Sequence, residues 1–205
     1  ELLRTLPEYQ RKATMLDALC HAVESFWSVN AGKESQKVAA EAIRMVLAYE
    51  DAYLANQPEG NEKMLLAANL AGKAINYTKT TAGHAMAYKL TTLYGLAHGH
   101  AVALCVDALW PYMIGHTEDA MDVRGKAYLD DMFLRLAQVM GCASSMDAAV
   151  KYHEMLEQLH LSRPEVKSVE ELELLAGSVN PERLGDNPVC LKKEVLRSLY
   201  ARIAK

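Results

Sequence analysis

The sequence lacks the features that mark several large protein classes. Its 205 residues include only four cysteines and no Cys-x-x-Cys pair, which favours reduced thiols in a cytosolic protein over a disulfide framework. No apolar run approaches the ~20 residues that a membrane span needs, and no signal-peptide pattern opens the chain. The net charge of −4 argues against a nucleic-acid partner. A soluble globular protein is the expected class.

What the sequence does contain is a helical hydrophobic pattern along almost its whole length. Leu16, Leu19, Val23 and Trp27, for example, recur at three- and four-residue spacing, which indicates one apolar helix face. No stretch alternates in the way a strand does. We therefore predict an all-α bundle of eight or nine helices. Their expected positions are residues 14–28, 35–55, 61–77, 80–94, 98–109, 123–140, 145–159, 169–176 and 192–204.

These helices are expected to form one domain over residues 1–205, with a weak internal boundary near residues 115–122. The segment at this boundary is acidic, and the helical pattern lapses there. Glu1 is not an initiator methionine and opens almost directly into a helical pattern. We therefore expect the natural protein to begin earlier than this sequence does.

The first group of residues that indicates chemistry is Asp17 and His21. Four residues apart, they lie on one helix face, where both can reach one cation. A surface ion pair or a capped core histidine would give the same pattern. The apolar neighbours Leu19 and Val23 favour burial, and a buried carboxylate needs a partner such as a metal.

Three further histidines occur among small or apolar neighbours. His84 is flanked by alanine and glycine, and His98 stands at an expected helix start after Gly95. His100 would point about 200° away from His98 on a helix, so both are not expected to bind one metal. Each histidine alone is more often structural. Together with the carboxylate they make a mixed nitrogen and oxygen set that suits Fe(II), Zn(II), Co(II) or Ni(II).

Three runs give the chain a family resemblance: Asp17-Ala-Leu-Cys-His-Ala-Val-Glu24, Gly83-His-Ala-Met-Ala and Ala97-His-Gly-His-Ala-Val-Ala. They resemble the iron-containing (group III) alcohol dehydrogenases, most strongly over residues 7–115. The resemblance implies that Asp17, His21, His84 and His98 bind Fe(II), Zn(II) or another divalent metal. It also implies hydride transfer between NAD(P)H and a small alcohol or aldehyde, Lewis-acid catalysis by the metal, and a homo-oligomer.

In that family an N-terminal α/β domain with a glycine-rich turn builds most of the nucleotide site. No G-x-G-x-x-G pattern occurs in this sequence. We therefore expect the chain to be the C-terminal, metal-binding helical half of the enzyme. Such a half should bind metal, bind nucleotide weakly or not at all, and be inactive without the missing domain.

Other residues acquire roles from the same resemblance. Family members often carry a histidine four residues after the third ligand as a proton relay, and this sequence has Tyr88 there. Tyr88 or His100 could replace it, although packing roles stay open for both. Glu24 lies one turn beyond His21 and is expected to orient that ring, with a surface ion pair as the alternative.

The segment around His84 also bears on the substrate. Residues 76–89 contain Lys79, Lys89 and three threonines, which is polar for a site that handles simple alkyl alcohols. The segment is similar to that of phosphonoacetaldehyde reductases, a branch of the family. It favours an aldehyde that carries an anion, because lysines and hydroxyl groups suit a phosphonate. Solvated helix-face charge is the alternative for each lysine.

Other functions are less well supported. A glycerol dehydrogenase or dehydroquinate synthase-like enzyme would share the architecture but commonly uses three ligands. A hydrolase with adjacent histidine and aspartate is disfavoured, because that dipeptide is absent. A non-catalytic helical interaction domain would bind no metal and would be indifferent to His84→Ala.

Overall fold

The computed structural model describes residues 2–204, with side chains from Leu3 onward, so both ends of the expected 1–205 domain lie outside the described residues. The α-helices of this part are α1 (Glu8–Trp27), α2 (Lys33–Leu54), α3 (Pro58–Thr78), α4 (Ala82–Tyr94), α5 (His98–Ile114), α6 (Gly125–Val139), α7 (Ser145–Gln158), α8 (Val169–Gly177), α9 (Pro181–Leu184) and α10 (Lys193–Ile203). Within residues 2–204, β pairing is limited to one bridge between Ala120 and Val189. The predicted all-α class is confirmed.

The helix ends follow the turn chemistry of the sequence. Ser144 caps α7 by accepting a hydrogen bond of 3.2 Å from the Asp147 amide, while the Asp147 carboxylate accepts one of 2.9 Å from the Ser144 amide. This reciprocal pair is a capping box. Gly95 ends α4 in the left-handed region, with φ of 66°, which a glycine adopts without a Cβ penalty.

Three helices differ from the predicted pattern. Helix α1 begins at Glu8 because Pro7, which lacks a backbone donor, stands just before it. Its early polar residue Arg11 is buried, which conceals the apolar period. Helix α5 runs through Pro111, since a proline in the last turn removes only one backbone hydrogen bond. Helix α9 is a single turn and too short to show any period.

The core is built around α1 and α5. Helix α1 contacts α2, α3, α5 and α6, and α5 also contacts α4, α7 and α10. Trp27 and Trp110 meet edge to face, with ring centroids 5.3 Å apart, and Phe133 from α6 packs against Trp27. Residues before and after segment 115–122 contribute to one cluster of buried apolar side chains. None of the described helices is long and apolar enough to cross a membrane.

Candidate metal centre

Helix α1 places two of the predicted ligands on one face. Asp17 and His21 lie one helical turn apart. His21 Nδ1 is 3.5 Å from Asp17 Oδ2, and both side chains are partly exposed. This distance is longer than an ordinary hydrogen bond. The two residues therefore do not satisfy each other, and both keep atoms that a cation could use.

Two other helices bring His84 and His98 to Asp17. His84 lies in the first turn of α4, and His98 is the first residue of α5. Asp17 Oδ1 is 3.8 Å from His84 Nε2 and 3.9 Å from His98 Nε2. One candidate ligand atom from each of these residues lies within 4.8 Å of the other two. The packing of α1, α4 and α5 thus brings together three residues that are far apart in sequence.

The centre of this cluster has the chemistry of a metal site. Asp17 Oδ1 and His84 Nε2 are buried and have no hydrogen-bond partner among the described residues. A buried polar atom without a partner costs ~1–3 kcal/mol. Two ligand atoms that are each about 2.1 Å from a metal lie no more than about 4.2 Å apart. The distances from Asp17 Oδ1 to His84 Nε2 and to His98 Nε2, 3.8 and 3.9 Å, are within this limit. One divalent cation would therefore satisfy both orphaned atoms.

His21 lies beside this group of three. Its ring stacks on that of His84, with centroids 4.3 Å apart and planes 28° apart. Burial is the main cause that lowers the pKa of His21, and the nearby His84 lowers it further. The carboxylate of Asp17 acts in the opposite direction but does not offset them. Burial also lowers the pKa of His98, and this outweighs its attraction to Asp17. Neutral imidazoles offer a lone pair, so the environment favours metal ligation.

Glu24 contacts His84, and the prediction that it orients His21 is wrong. Its Oε2 accepts from His84 Nδ1, while its Oε1 accepts from Thr81 Oγ1 at 2.6 Å and from the Gly83 amide at 2.7 Å. The side chain points into the core, where the N-terminus of α4 supplies those donors. Burial would raise the pKa of Glu24, but the electrostatic interaction and hydrogen bond with His84 and the hydrogen bond from the Thr81 hydroxyl together lower it.

A close approach of α5 to α1 sets the position of the cluster. A Cβ atom on Gly99 would overlap the carbonyl oxygen of Ala13 and lie 2.6 Å from Asp17 Cβ. Glycine is therefore required for His98, its neighbour in sequence, to come this near to Asp17. Gly83, beside His84, is also tightly packed, because a Cβ there would lie 2.7 Å from the Val106 side chain and 2.8 Å from Glu24 Oε1.

The ligands open into a cavity of about 590 Å³. His21, His84 and His98 line one part of it. The Tyr88 ring, which is 46% exposed, stacks on His98 with centroids 5.6 Å apart. Lys79, which caps the end of α3, lines the same cavity. Tyr88 and Lys79 therefore lie where a substrate bound at the cluster would contact them.

Two predicted site residues lie elsewhere. His100 is fully buried, and its Nδ1 is 3.1 Å from the Tyr9 hydroxyl. This agrees with the expectation that His98 and His100 point in different directions. Burial lowers the pKa of His100. Neither His100 nor Lys89 lines the cavity of the ligand cluster.

Arg183 was not identified by the sequence analysis, and it lines the cavity from α9. Its Nη1 donates to Thr80 Oγ1 at 3.1 Å, across a separation of 103 residues. Its guanidinium carbon is 5.2 Å from the centroid of the Tyr88 ring. Only the fold brings this arginine to the cavity of the candidate metal ligands, which all precede residue 99.

Comparison with known sequences places the chain beside reductases and dehydrogenases, to parts of which it is similar. It is 30% identical to a phosphonoacetaldehyde reductase of Streptomyces viridochromogenes, over 97% of this chain and 51% of that protein. It is 34% identical to a 1,3-propanediol dehydrogenase of Klebsiella pneumoniae, over 54% of this chain and 30% of that protein. The chain thus spans about half the length, or less, of the curated relatives described here.

Solved structures agree with this placement. A sulfoacetaldehyde reductase from Bifidobacterium kashiwanohense, solved in complex with NAD+, matches 98% of this chain and 52% of its own, with a TM-score of 0.83 and 26% identity. An iron-containing alcohol dehydrogenase from Thermotoga maritima matches 98% of this chain and 50% of its own, with a TM-score of 0.78 and 25% identity. Residues 12–203 match the sequence model described as "Fe-containing alcohol dehydrogenase family, C-terminal". The chain therefore belongs to the iron-containing alcohol dehydrogenase family.

Proposed function

We propose that this chain is the metal-binding part of an alcohol dehydrogenase or aldehyde reductase that transfers hydride between NAD(P)H and a small aldehyde. The observation that carries the proposal is the cluster of Asp17, His84 and His98, whose candidate ligand atoms lie within 4.8 Å of one another. Family membership and the adjacent cavity support it. The relatives are about twice as long as the chain. We therefore propose that a further domain of the enzyme holds most of the nucleotide.

We assign Asp17, His21, His84 and His98 as the ligands of one divalent metal, with Fe(II) as the expected ion. A mixed set of one carboxylate and three imidazoles suits Fe(II) or Zn(II) better than Ca(II) or Mg(II). A bound metal of this kind supplies Lewis-acid polarisation of a carbonyl oxygen. Asp17 contributes the one negative charge of the set, and the imidazoles bind in their neutral form.

The protein's own residues orient the ligands and close the site. Glu24 accepts from His84 Nδ1, so that the Nε2 lone pair faces Asp17. Tyr88 stacks on His98, which covers part of one face of that ring. Its hydroxyl group is the proposed proton donor to the substrate oxygen. His100 is not proposed for this role, because it lies outside the cavity.

Metal analysis of matched variants tests this proposal. We expect near one equivalent of iron or zinc in the complete wild-type enzyme after anaerobic reconstitution, and a large loss of metal in His98→Ala. His153→Ala is the matched control, because His153 is an exposed histidine on α7 that pairs with Asp107 at 2.9 Å. The wild type and the control should also oxidise NADH or NADPH with small aldehydes.

Two results would contradict the proposal. One is equal metal content in His98→Ala and the wild type, which would remove His98 from the ligand set. The other is a fully reconstituted wild-type enzyme that oxidises neither NADH nor NADPH with any small aldehyde. Circular dichroism of each variant shows whether metal is lost from a folded protein.

A further inference from the structure

Most hydrogen-bonding groups of Arg183 are unused by the protein. Its Nη1 donates to Thr80 Oγ1, and its guanidinium packs over the Tyr88 ring. Arginine carries five N–H donors in a planar fork that matches an oxyanion. Within residues 3–204, no acceptor is recorded for Nε or Nη2 of Arg183. These two nitrogens are therefore available to a ligand in the cavity.

Structural arginines of this chain look different. Arg124 donates from Nε and Nη2 to the carboxylate of Asp122, and from Nη1 and Nη2 to the carbonyl oxygens of Ala31 and Val29. Among the described residues, the arginines with a carboxylate within 4.0 Å are Arg124, Arg135, Arg163 and Arg197. Arg183, although half-buried, is not one of them. The buried Arg11 also lacks such a carboxylate, but its guanidinium donates to four oxygen atoms, whereas that of Arg183 donates to Thr80 Oγ1 alone among the described residues. If the only role of Arg183 were to hydrogen-bond α9 to Thr80, a neutral side chain with one donor would be sufficient.

The acidic residues that line the cavity do not neutralise Arg183, so its charge is available to an anionic ligand. Lys79 is the second cation of the lining, and it has no ion pair among the described residues. Glu182 and Asp186 also line the cavity. Asp186 Oδ1 accepts a hydrogen bond of 2.7 Å from Asn30, so this carboxylate already has a partner. Neither acid lies within ion-pair distance of Arg183.

We propose that Arg183 binds the anionic group of the substrate and thereby selects small aldehydes that carry a phosphonate or sulfonate. The proposal rests on the function proposed above. The Tyr88 ring lies near both groups: its centroid is 5.6 Å from that of the His98 ring and 5.2 Å from the guanidinium carbon of Arg183, and all three residues line one cavity. A short substrate could therefore place its carbonyl at the metal ligands and its oxyanion at Arg183. Lys79 adds positive charge at the same end. A neutral aldehyde gains nothing from either cation.

Kinetics of the complete, metal-loaded enzyme test this assignment. The measured quantity is the ratio of kcat/KM for phosphonoacetaldehyde or sulfoacetaldehyde to kcat/KM for propanal. Arg183→Gln should lower this ratio by about 10- to 100-fold, the loss expected for one charge-assisted hydrogen-bonding contact. Arg183→Lys should recover part of it, because it keeps the charge but not the fork. Arg44→Gln, an exposed arginine on α2, is the matched control and should keep the wild-type ratio.

A binding measurement separates this inference from the proposed function. Calorimetry with phosphonoacetate and metal-depleted protein should show weaker binding to Arg183→Gln than to wild type. If the wild type reduces no aldehyde, the proposed function fails, and the calorimetry alone decides the role of Arg183. If Arg183→Gln lowers kcat/KM equally for anionic and neutral aldehydes, the role of Arg183 is structural, and the inference is overturned. Unchanged phosphonoacetate affinity in Arg183→Gln would overturn it as well.

Discussion

Replacing Glu24 with glutamine tests how this buried carboxylate controls the metal centre. In the wild type, Oε1 accepts from the Thr81 hydroxyl and the Gly83 amide, and Oε2 accepts from His84 Nδ1. A carboxylate only accepts, so Nδ1 of His84 must carry the hydrogen. The lone pair then lies on Nε2, which faces Asp17 Oδ1 at 3.8 Å. Glu24 thus fixes the tautomer that can bind a metal.

Glutamine cannot reproduce this arrangement in either orientation. If its amide nitrogen faces His84, Nδ1 must accept, and the hydrogen moves to Nε2, where it blocks coordination. If its oxygen faces His84, its amide nitrogen opposes the Gly83 N–H, and that buried donor loses its acceptor at a cost of ~1–3 kcal/mol. Loss of such a supporting contact weakens metal affinity by about 10- to 100-fold. This corresponds to about 1.4–2.8 kcal/mol, at 1.4 kcal/mol for each factor of ten.

The assay is a competitive Zn(II) titration against a chromophoric chelator, on metal-depleted complete enzyme. Near-ultraviolet circular dichroism and thermal unfolding without metal are recorded for each variant. Glu8→Gln is the control, because Glu8 lies exposed on the same helix and pairs with Lys12. It should bind Zn(II) as the wild type does. Thr81→Val removes one donor to Glu24 Oε1 but leaves the His84 contact, so it should retain more affinity than Glu24→Gln.

One result would refute the reasoning: a folded Glu24→Gln protein that binds Zn(II) with wild-type affinity. The tautomer of His84 would then be set by another group. Equal losses in Thr81→Val and Glu24→Gln would also count against it, because they would point to general packing around the carboxylate. If Glu24→Gln does not fold, Thr81→Val and Glu8→Gln still show whether affinity depends on the contacts of Glu24.

Two further predictions concern stability and thiol chemistry. Gly99→Ala should destabilise the protein by about 1–3 kcal/mol and weaken metal binding, because its methyl group overlaps the α1 backbone. Gly72→Ala is the control: a Cβ there meets nothing within 4 Å, so this change should stabilise helix α3 by about 0.5–1 kcal/mol. Thermal unfolding measures the stability of both variants. Equal changes in stability would contradict the close approach of α5 to the α1 backbone at Gly99. Burial raises the pKa of Cys20 and Cys105 well above the usual thiol range, so only the other two of the four cysteines should react with Ellman's reagent before urea is added. Rapid reaction of more than two thiols in the native protein would contradict the packing of the core.

The sequence was informative where local periodicity or local spacing determines the structure. The spacing of Asp17 and His21 requires that both side chains share a helix face, whatever the rest of the chain does. Small residues around His84 and His98 indicated close packing of helices, and Gly99 meets the α1 backbone. The turn at residue 95 followed from a glycine that could adopt positive φ. The all-α class followed from the same local rules.

What the sequence could not provide is the direction of each side chain in the folded core. Glu24 shares a face with His21, and that periodicity led to the wrong partner. The correct one, His84, is 60 residues away and is selected because α4 presents its free N-terminal amides to the carboxylate. The partners of Arg183 were even less predictable from the sequence. Its one-turn helix is too short to show a period, and its contact with Thr80 depends on how the whole bundle packs. The proposed metal ligands are marked by their own chemistry, whereas residues proposed to orient a ligand or select a substrate are defined by what the fold brings next to them. Substrate preference in this family member should therefore change through substitutions at residues such as Arg183, while the ligand set and the fold stay the same.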